Sequence, residues 1–357
     1  MFFKRVVKIQ YPNGWGSCLV LLGAICISLL LCAIVLSIGG TDPVDGLVTL
    51  FRGAFGNRYA LEDAIVKATP IFLCSLGVAL AFRLQVWNIG AEGQFALGAV
   101  GATWMALSFP AAPAFVVLPL MVVMAVIAGG VWGLIPALLR QKLQTNEIIV
   151  TLMMNYIAIL FLDYLVYGVW KDPASFGFPM TAEFSEAAIV GRIGSSSYSW
   201  GLVHCLVLGL VFWVFIRYSR IGFEIKAGGD NVRASKYAGI PYDRLVMLVM
   251  ALSGALAAWA GFLEASSTIN RLQPSIMAGY GYTAIVVAWL ARLNPLYIAV
   301  ASFLLAGLRV GVEAMQLDLQ VPAAFGGIIE GLILLTVLAG GLFTYYRIVF
   351  TRAAHEH

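Results

Sequence analysis

Charge is scarce in this chain: Asp, Glu, Lys and Arg make up 11% of its 357 residues, against about 25% in a soluble domain. That shortage excludes an ordinary water-facing globule. Histidine is rarer still, and no His-Glu-x-x-His run occurs, which removes the common helical zinc site. His355 and His357 belong to the C-terminal tail, so only His204 lies in an apolar run, where it reads as a packing or interfacial residue. A Gly-x-Ser-x-Gly elbow is absent, so the hydrolase nucleophile has no candidate. No lysine follows a glycine; the Gly-Lys-Ser/Thr end of a phosphate loop is therefore missing and ATP cannot be held here in that way. The cysteines, Cys18, Cys26, Cys32, Cys74 and Cys205, fall inside apolar runs without a Cys-x-x-Cys pair. They indicate neither a disulfide framework nor a zinc site and read as small packing residues.

What is present is hydrocarbon. Hydrophobic residues make up 61% of the chain and its mean hydropathy is +0.91. A helix needs about 20 mainly apolar residues to cross a bilayer. About ten stretches qualify, near residues 17–38, 64–82, 93–109, 113–136, 147–168, 200–216, 246–264, 276–290, 296–314 and 323–345. The reading is an all-α polytopic membrane protein, with residues 1–357 forming a single transmembrane domain. The first stretch is longer than a signal-peptide core and no small-x-small site leads into a polar domain, so it is expected to stay in the protein.

Orientation follows from the basic residues. If Lys4, Arg5 and Lys8 face the cytoplasm, alternating crossings also place Arg83, Arg140, Lys142, Arg217, Arg220, Lys226, Arg233, Lys236, Arg244, Arg292, Arg347 and Arg352 inside, as the positive-inside rule asks. Both termini are then cytoplasmic, while Asp42, Asp45, Glu62, Asp63, Asp172, Glu183, Glu186 and Asp318 fall on external loops. The net charge of +4 is a topology signal and gives no support to nucleic-acid binding.

Two connections are long. The external loop 171–199 contains Pro173, Pro179 and the Ser195-Ser196-Ser197 run; such a loop either touches a partner or covers the bundle. The cytoplasmic loop 217–245 contains a short helix with Asp230 or Asn231 as N-cap, Ala234, Ser235, Tyr237 and Ala238 as body, and Gly239 as stop with Pro241 beyond. This helix either rests on lipid headgroups or meets a partner.

Polar residues gather between Val86 and Phe95, where Asn88, Glu92 and Gln94 interrupt two apolar stretches. Gly90 and Gly93 weaken a helix and Asn88 is a good N-cap, so an irregular segment over Trp87 to Gly90 is expected to lead into a helix with Glu92 in its first turn. These groups either cap an interrupted helix or also line a cavity, since irregular backbone at membrane depth is tolerated mainly there. Further along, Arg309 and Glu313 stand four apart and can neutralise each other, while Glu330 offers Arg309 a second partner.

Three blocks carry a resemblance. Asn88-Ile-Gly-Ala-Glu-Gly-Gln94, Thr145-Asn-Glu-Ile-Ile-Val-Thr-Leu-Met-Met-Asn-Tyr156, and the loop from Gly222 to Ile240 together resemble the membrane subunits of bacterial ABC importers. More narrowly, they resemble permeases of the branched-chain amino acid and ribose type, in the branch that imports nucleosides and related compounds. The similarity runs over nearly the whole chain. It implies a type II-like ABC importer permease in the bacterial cytoplasmic (inner) membrane, working with a second homologous permease, a cytoplasmic ATPase with two nucleotide-binding domains, and an external substrate-binding protein. ATP would be bound by the partner, so this chain would be a non-catalytic subunit without a cofactor.

The resemblance also implies roles for residues. Gly229, Asp230, Asn231, Ala234, Ala238 and Gly239 would form the coupling helix that docks on the ATPase, and Asn88, Glu92, Gln94, Thr151 and Asn155 would border the substrate path. Neutral amides suit the hydroxyls and base edges of a nucleoside. Within this branch, cargo extends to simple sugars and riboflavin-like molecules. An ion-coupled secondary transporter is the rival of another class, but Glu92, Asp163, Glu264, Arg309, Glu313 and Glu330 form no obvious proton relay along the sequence.

Overall fold

In hydrocarbon, backbone N–H and C=O groups must find their partners within the segment, so apolar runs of this length fold as helices. The computed structural model describes residues 2–8 and 14–352; His355 and His357 lie outside the described residues. The helices are α1 (Gly14–Ile38), α2 (Pro43–Phe55), α3 (Arg58–Arg83), α4 (Ala91–Ser108), α5 (Ala114–Leu143), α6 (Glu147–Tyr164), α7 (Gly201–Tyr218), α8 (Arg220–Asp230), α9 (Val232–Tyr237), α10 (Tyr242–Leu263), α11 (Tyr280–Leu290), α12 (Pro295–Asp318) and α13 (Ala323–Tyr345). Strands β1 (Phe2–Lys8) and β2 (Tyr346–Arg352) form an antiparallel pair, with Phe2 opposite Arg352. This ribbon is an addition to the all-α expectation.

Every one of the ten apolar stretches is helical, but crossing a membrane is a stronger statement. Among the described residues, six helices are long and apolar enough on their own: α3, α5, α6 with the π turn that extends it to Val169, α7, α10 with the π turn that extends it to Ile269, and α12. A seventh is added if Cys26–Ile38 and α2 count as one span bent by 120°. The expected count of ten therefore exceeds what length and composition establish. Glu92 and Gln94 lower the hydropathy of α4, and α11 is only 11 residues long.

Two helices were not expected. The stretch after the first apolar run, expected as a loop, contains α2. Asp42 caps it, its Oδ1 accepting from Val44 N–H at 2.7 Å and Asp45 N–H at 3.2 Å, and Pro43 occupies the first turn. In the loop 217–245, α8 precedes the predicted short helix, with Ser219 Oγ accepting from Gly222 N–H at 2.9 Å.

The chain divides into two compact units. The first comprises residues 1–60 and 308–357. Its core is built from Cys32, Leu36, Leu50, Val312, Met315, Val321 and Ile329. Arg309 is paired with Glu330, its Nε donating to Glu330 Oε1 at 2.6 Å.

The second unit, residues 61–307, holds the candidate site. Here α4, α5 and α10 pack at very short range because small residues face each other. A Cβ added at Gly98 would run into the backbone of Ala258, and one at Gly254 into the carbonyl oxygen of Gly129. Small faces of this kind let helix backbones approach and gain van der Waals contact where lipid offers no hydrophobic drive.

The loop 171–199 is tied to the segment that follows α10. Thr181 N–H donates to Leu272 O at 3.0 Å, Phe184 N–H to Asn270 O at 2.9 Å and Val190 N–H to Ser266 O at 3.0 Å. Glu62 Oε2 accepts from Ser197 N–H at 2.8 Å, fastening the far end of the loop to α3.

Candidate functional site

Helix α3 stops at Arg83, Gln85 takes a left-handed conformation at φ 61°, and the chain runs without regular structure to Gly90 before α4 begins. The N-cap of α4 is Gly90, with no side-chain cap. Asn88, expected in that role, instead accepts from Gly90 N–H through Oδ1 at 3.0 Å and so closes the turn before the helix. Its Nδ2 donates to Gln94 Oε1 at 2.9 Å and to Ser253 Oγ of α10 at 2.8 Å, while Gln94 Nε2 donates back to Asn88 Oδ1 at 3.2 Å. Two amides facing each other satisfy donors and acceptors reciprocally, which a buried polar pair requires.

From α6, Asn155 Oδ1 accepts from Gly93 N–H at 2.8 Å, and its Nδ2 donates to Ile89 O at 2.9 Å and to the Tyr282 hydroxyl at 3.2 Å. Thr151 Oγ1 accepts from Ile89 N–H at 3.3 Å and lies 2.7 Å from Glu147 O, to which it donates. These bonds serve the backbone groups that an interrupted helix leaves open. Asn88, Glu92, Gln94, Thr151 and Asn155 are all buried.

Glu92 reaches the start of α11. Gly279 N–H donates to its Oε1 at 2.8 Å and Gly281 N–H to its Oε2 at 2.6 Å. The carboxylate thus lies in the first turn of α4 and on the first turn of α11, the positive ends of two helix dipoles. That placement offsets the cost of burying it. Gly279 takes φ +79°, and a Cβ on Gly281 would strike the backbone of Glu92, so both glycines are needed for this approach. The structure therefore places the five predicted path residues in neighbouring bonded groups: Asn88 and Gln94 with Ser253, Thr151 and Asn155 on the backbone of Ile89 with Asn155 also on Tyr282, and Glu92 on the start of α11. Beside them, Trp87 stacks on Trp289 with centroids 5.7 Å apart, and Phe82 lies 4.9 Å from Trp87.

The Thr145-Asn-Glu-Ile-Ile block turns out to organise a helix start. Asn146 Oδ1 accepts from Ile148 N–H at 2.9 Å as N-cap of α6, and Glu147 Oε1 pairs with Arg140 of α5 at 2.9 Å across the turn.

In the loop 217–245, Asn231 is the N-cap of α9, accepting from Ala234 N–H at 3.0 Å; Asp230 is the last residue of α8. Ala238 is the C-cap and not part of the body, and Gly239 ends the helix at φ +79°. Ala234, Tyr237 and Ala238 are exposed, Tyr237 by 96%. The loop is anchored to the segment leading to Asn88: a Cβ on Gly229 would meet the carbonyl oxygen of Arg83, and the Tyr242 hydroxyl donates to Leu84 O at 3.2 Å.

At the end of α3 away from Arg83 lies a cavity of about 220 Å³ lined by Asp63, Arg192, Tyr198, Glu264 and Thr268 among others.

Residues 60–338 match the model of a family described as branched-chain amino acid transport system / permease component. The guanosine ABC transporter permease protein NupP of Bacillus subtilis is 34% identical over 326 residues, covering 89% of this chain and 92% of that protein. The glucose ABC transporter permease protein TsgB13 of Haloferax volcanii is also 34% identical, over 328 residues, covering 88% and 86%. The nucleoside ABC transporter permease protein NupB of Lactococcus lactis is 30% identical over 315 residues, covering 86% of each chain. With helices apolar enough to span a membrane and a family match over most of its length, this chain belongs to the branched-chain amino acid transport system permease family.

Proposed function

We propose that this protein is the permease subunit of an ATP-driven nucleoside importer in a bacterial cytoplasmic membrane. It forms the translocation path with a second, homologous permease and takes its energy from a cytoplasmic ATPase with two nucleotide-binding domains. An external binding protein delivers the cargo. The observation that carries the reading is the 34% identity, over 326 residues, to a guanosine permease. The chain has ten crossings with both termini inside, a reading supported by the concentration of Lys and Arg on alternate loops.

In this reading, Asn88, Glu92, Gln94, Thr151 and Asn155 are the frame of the path. Their polar atoms are engaged with one another and with backbone, so they shape the route by holding the broken stretch before α4. The coupling helix comprises Gly229, Asp230, Asn231, Ala234, Ala238 and Gly239, with the exposed face of α9 meeting the ATPase. Movement there is passed on through residues 83–88, since the loop grips Arg83 and Leu84 and the same strand of chain ends at Asn88. A change at either end of such a bonded element biases the other.

A sugar importer is the second reading, favoured by the equal identity to a glucose permease. The cargo is tested by calorimetry of the partner binding protein against guanosine, glucose and riboflavin. Binding of guanosine supports the nucleoside reading, and binding of glucose alone replaces it. Failure of the chain to co-purify with any ATPase would remove both.

A further inference from the structure

At the end of α7 the structure contains a second, larger cavity, of about 590 Å³, that the transport reading does not use. Three cations line it, Arg83, Arg217 and Lys226, and none of the lining residues is acidic. Arg83 donates one guanidinium N–H to Leu293 O, but its Nε is buried without a hydrogen-bond partner. Two helix starts add to the positive field: Gly222 from the first turn of α8, and Asn294 with Pro295 at the beginning of α12, also line the cavity. A concentration of like charge of this kind is unfavourable unless an anion answers it.

The surroundings identify the form of that anion. Trp213, Tyr218 and Phe223 line or rim the same cavity and are exposed, a combination enriched where a membrane meets water. From this rim the outward face of α7 continues as Leu206, Val207, Leu210 and Val211, all exposed and all apolar. Charge therefore sits at one end of an uncovered hydrocarbon-compatible surface.

We propose that this cavity binds the phosphate headgroup of an anionic phospholipid, with the acyl chains lying along α7. Arg83 and Arg217 hold the phosphate oxygens with their guanidinium N–H groups, and Lys226 adds a point charge. Basic pockets between helices at the inner face of a membrane are suited to such headgroups. The site rests on α7 being a membrane helix and is independent of the cargo.

The test uses the full chain in nanodiscs of dioleoyl phosphatidylglycerol and dioleoyl phosphatidylcholine, extracted into mild detergent, with retained lipid counted by mass spectrometry. The wild type is expected to be enriched in phosphatidylglycerol. The double variant Arg217→Gln/Lys226→Gln should lose at least about tenfold of that enrichment, as two interfacial cations are removed. The charge-conserving Arg217→Lys/Lys226→Arg should keep most of it, and Arg220→Gln, which alters the exposed pair with Glu224 outside the cavity, should keep it all. Equal retention of the two lipids by the wild type, or unchanged enrichment in the double variant, would overturn the proposal. Displacement of the lipid by millimolar inorganic phosphate would reassign the site to a small soluble anion. Loss of ATPase co-purification in the double variant with lipid retention intact would reassign it to a protein contact.

Discussion

A buried amide that loses its partner leaves the partner stranded as well, and Asn155 has three partners. Asn155→Ala would orphan Gly93 N–H and Ile89 O inside the protein, at a cost of at least about 2 kcal/mol. Thermal unfolding of the detergent-solubilised protein should show a lowered midpoint. Glu92 is a sharper case because both of its oxygens accept from backbone N–H groups. Glu92→Gln keeps one acceptor and turns an amide N–H toward the other donor, so it should destabilise the start of α11 although its shape is conserved. If the melting midpoint of Glu92→Gln equals that of the wild type, the carboxylate is not the clamp described here.

The polar character of Asn88, Glu92 and Gln94 was legible in the sequence, and so was their position at a broken helix. Their partners were not. Ser253, Gly279 and Gly281 lie more than a hundred residues away, and pairing across such a distance leaves no local pattern. The Gly279-Tyr-Gly281 spacing was the one available signal, since two glycines flanking a tyrosine ask for a close backbone approach.

At the scale of elements, the connections show where sequence punctuation can be read and where packing overrides it. Asp42-Pro43 carries a helix-start signal in the sequence itself, a capping carboxylate followed by proline in the first turn. Helix α8 was harder: Gly222, Gly228 and Gly229 argue against a helix, yet Gly228 and Gly229 are there because Leu84 and Arg83 press against them. The cap of α9 was narrowed to two candidates and the structure chooses Asn231. Asn231→Ala should destabilise that helix by about 1 kcal/mol, and Asn231→Ser should avoid most of that loss because its hydroxyl can still accept from Ala234 N–H; amide exchange of the loop measures it. Tyr237→Ala should leave the melting point of the isolated permease unchanged, because the ring is exposed. In the assembled importer it should lower transport-coupled ATP hydrolysis.

The ion pair between α12 and α13 makes a prediction of its own. Arg309→Glu alone places two carboxylates together and should reduce the amount of protein in the membrane. Adding Glu330→Arg should restore it, because the geometry of the pair is kept with its sign reversed. Expression that stays low in the double variant would argue that the pair is not what holds these helices.

For the whole molecule, composition alone identified a multi-pass membrane protein, because too little charge is present for a water-facing surface. Composition does not set the number of crossings: among the described residues six helices, or seven with the bent pair, are long and apolar enough to span a membrane. Helices α4 and α11 carry the interrupted stretches, and their polar or short character is what brings them below the length and apolarity of an independent span. The same property gives the molecule buried irregular backbone around Asn88, which an ordinary bundle of long helices would lack. In the proposed function the energy comes from a partner ATPase, and the sequence has no Gly-Lys-Ser/Thr end of a phosphate loop. The separation of proposed roles follows: the frame around Asn88 shapes the route, the loop around Asn231 receives the stroke, and residues 83–88 connect them.

The most direct test is uptake of labelled guanosine into proteoliposomes containing this chain, its partner permease, the ATPase and the binding protein. Uptake should require ATP and stop when ATP is withdrawn, whatever the proton gradient. Accumulation that persists without ATP while a proton gradient is maintained would contradict the account and make the protein an ion-coupled transporter.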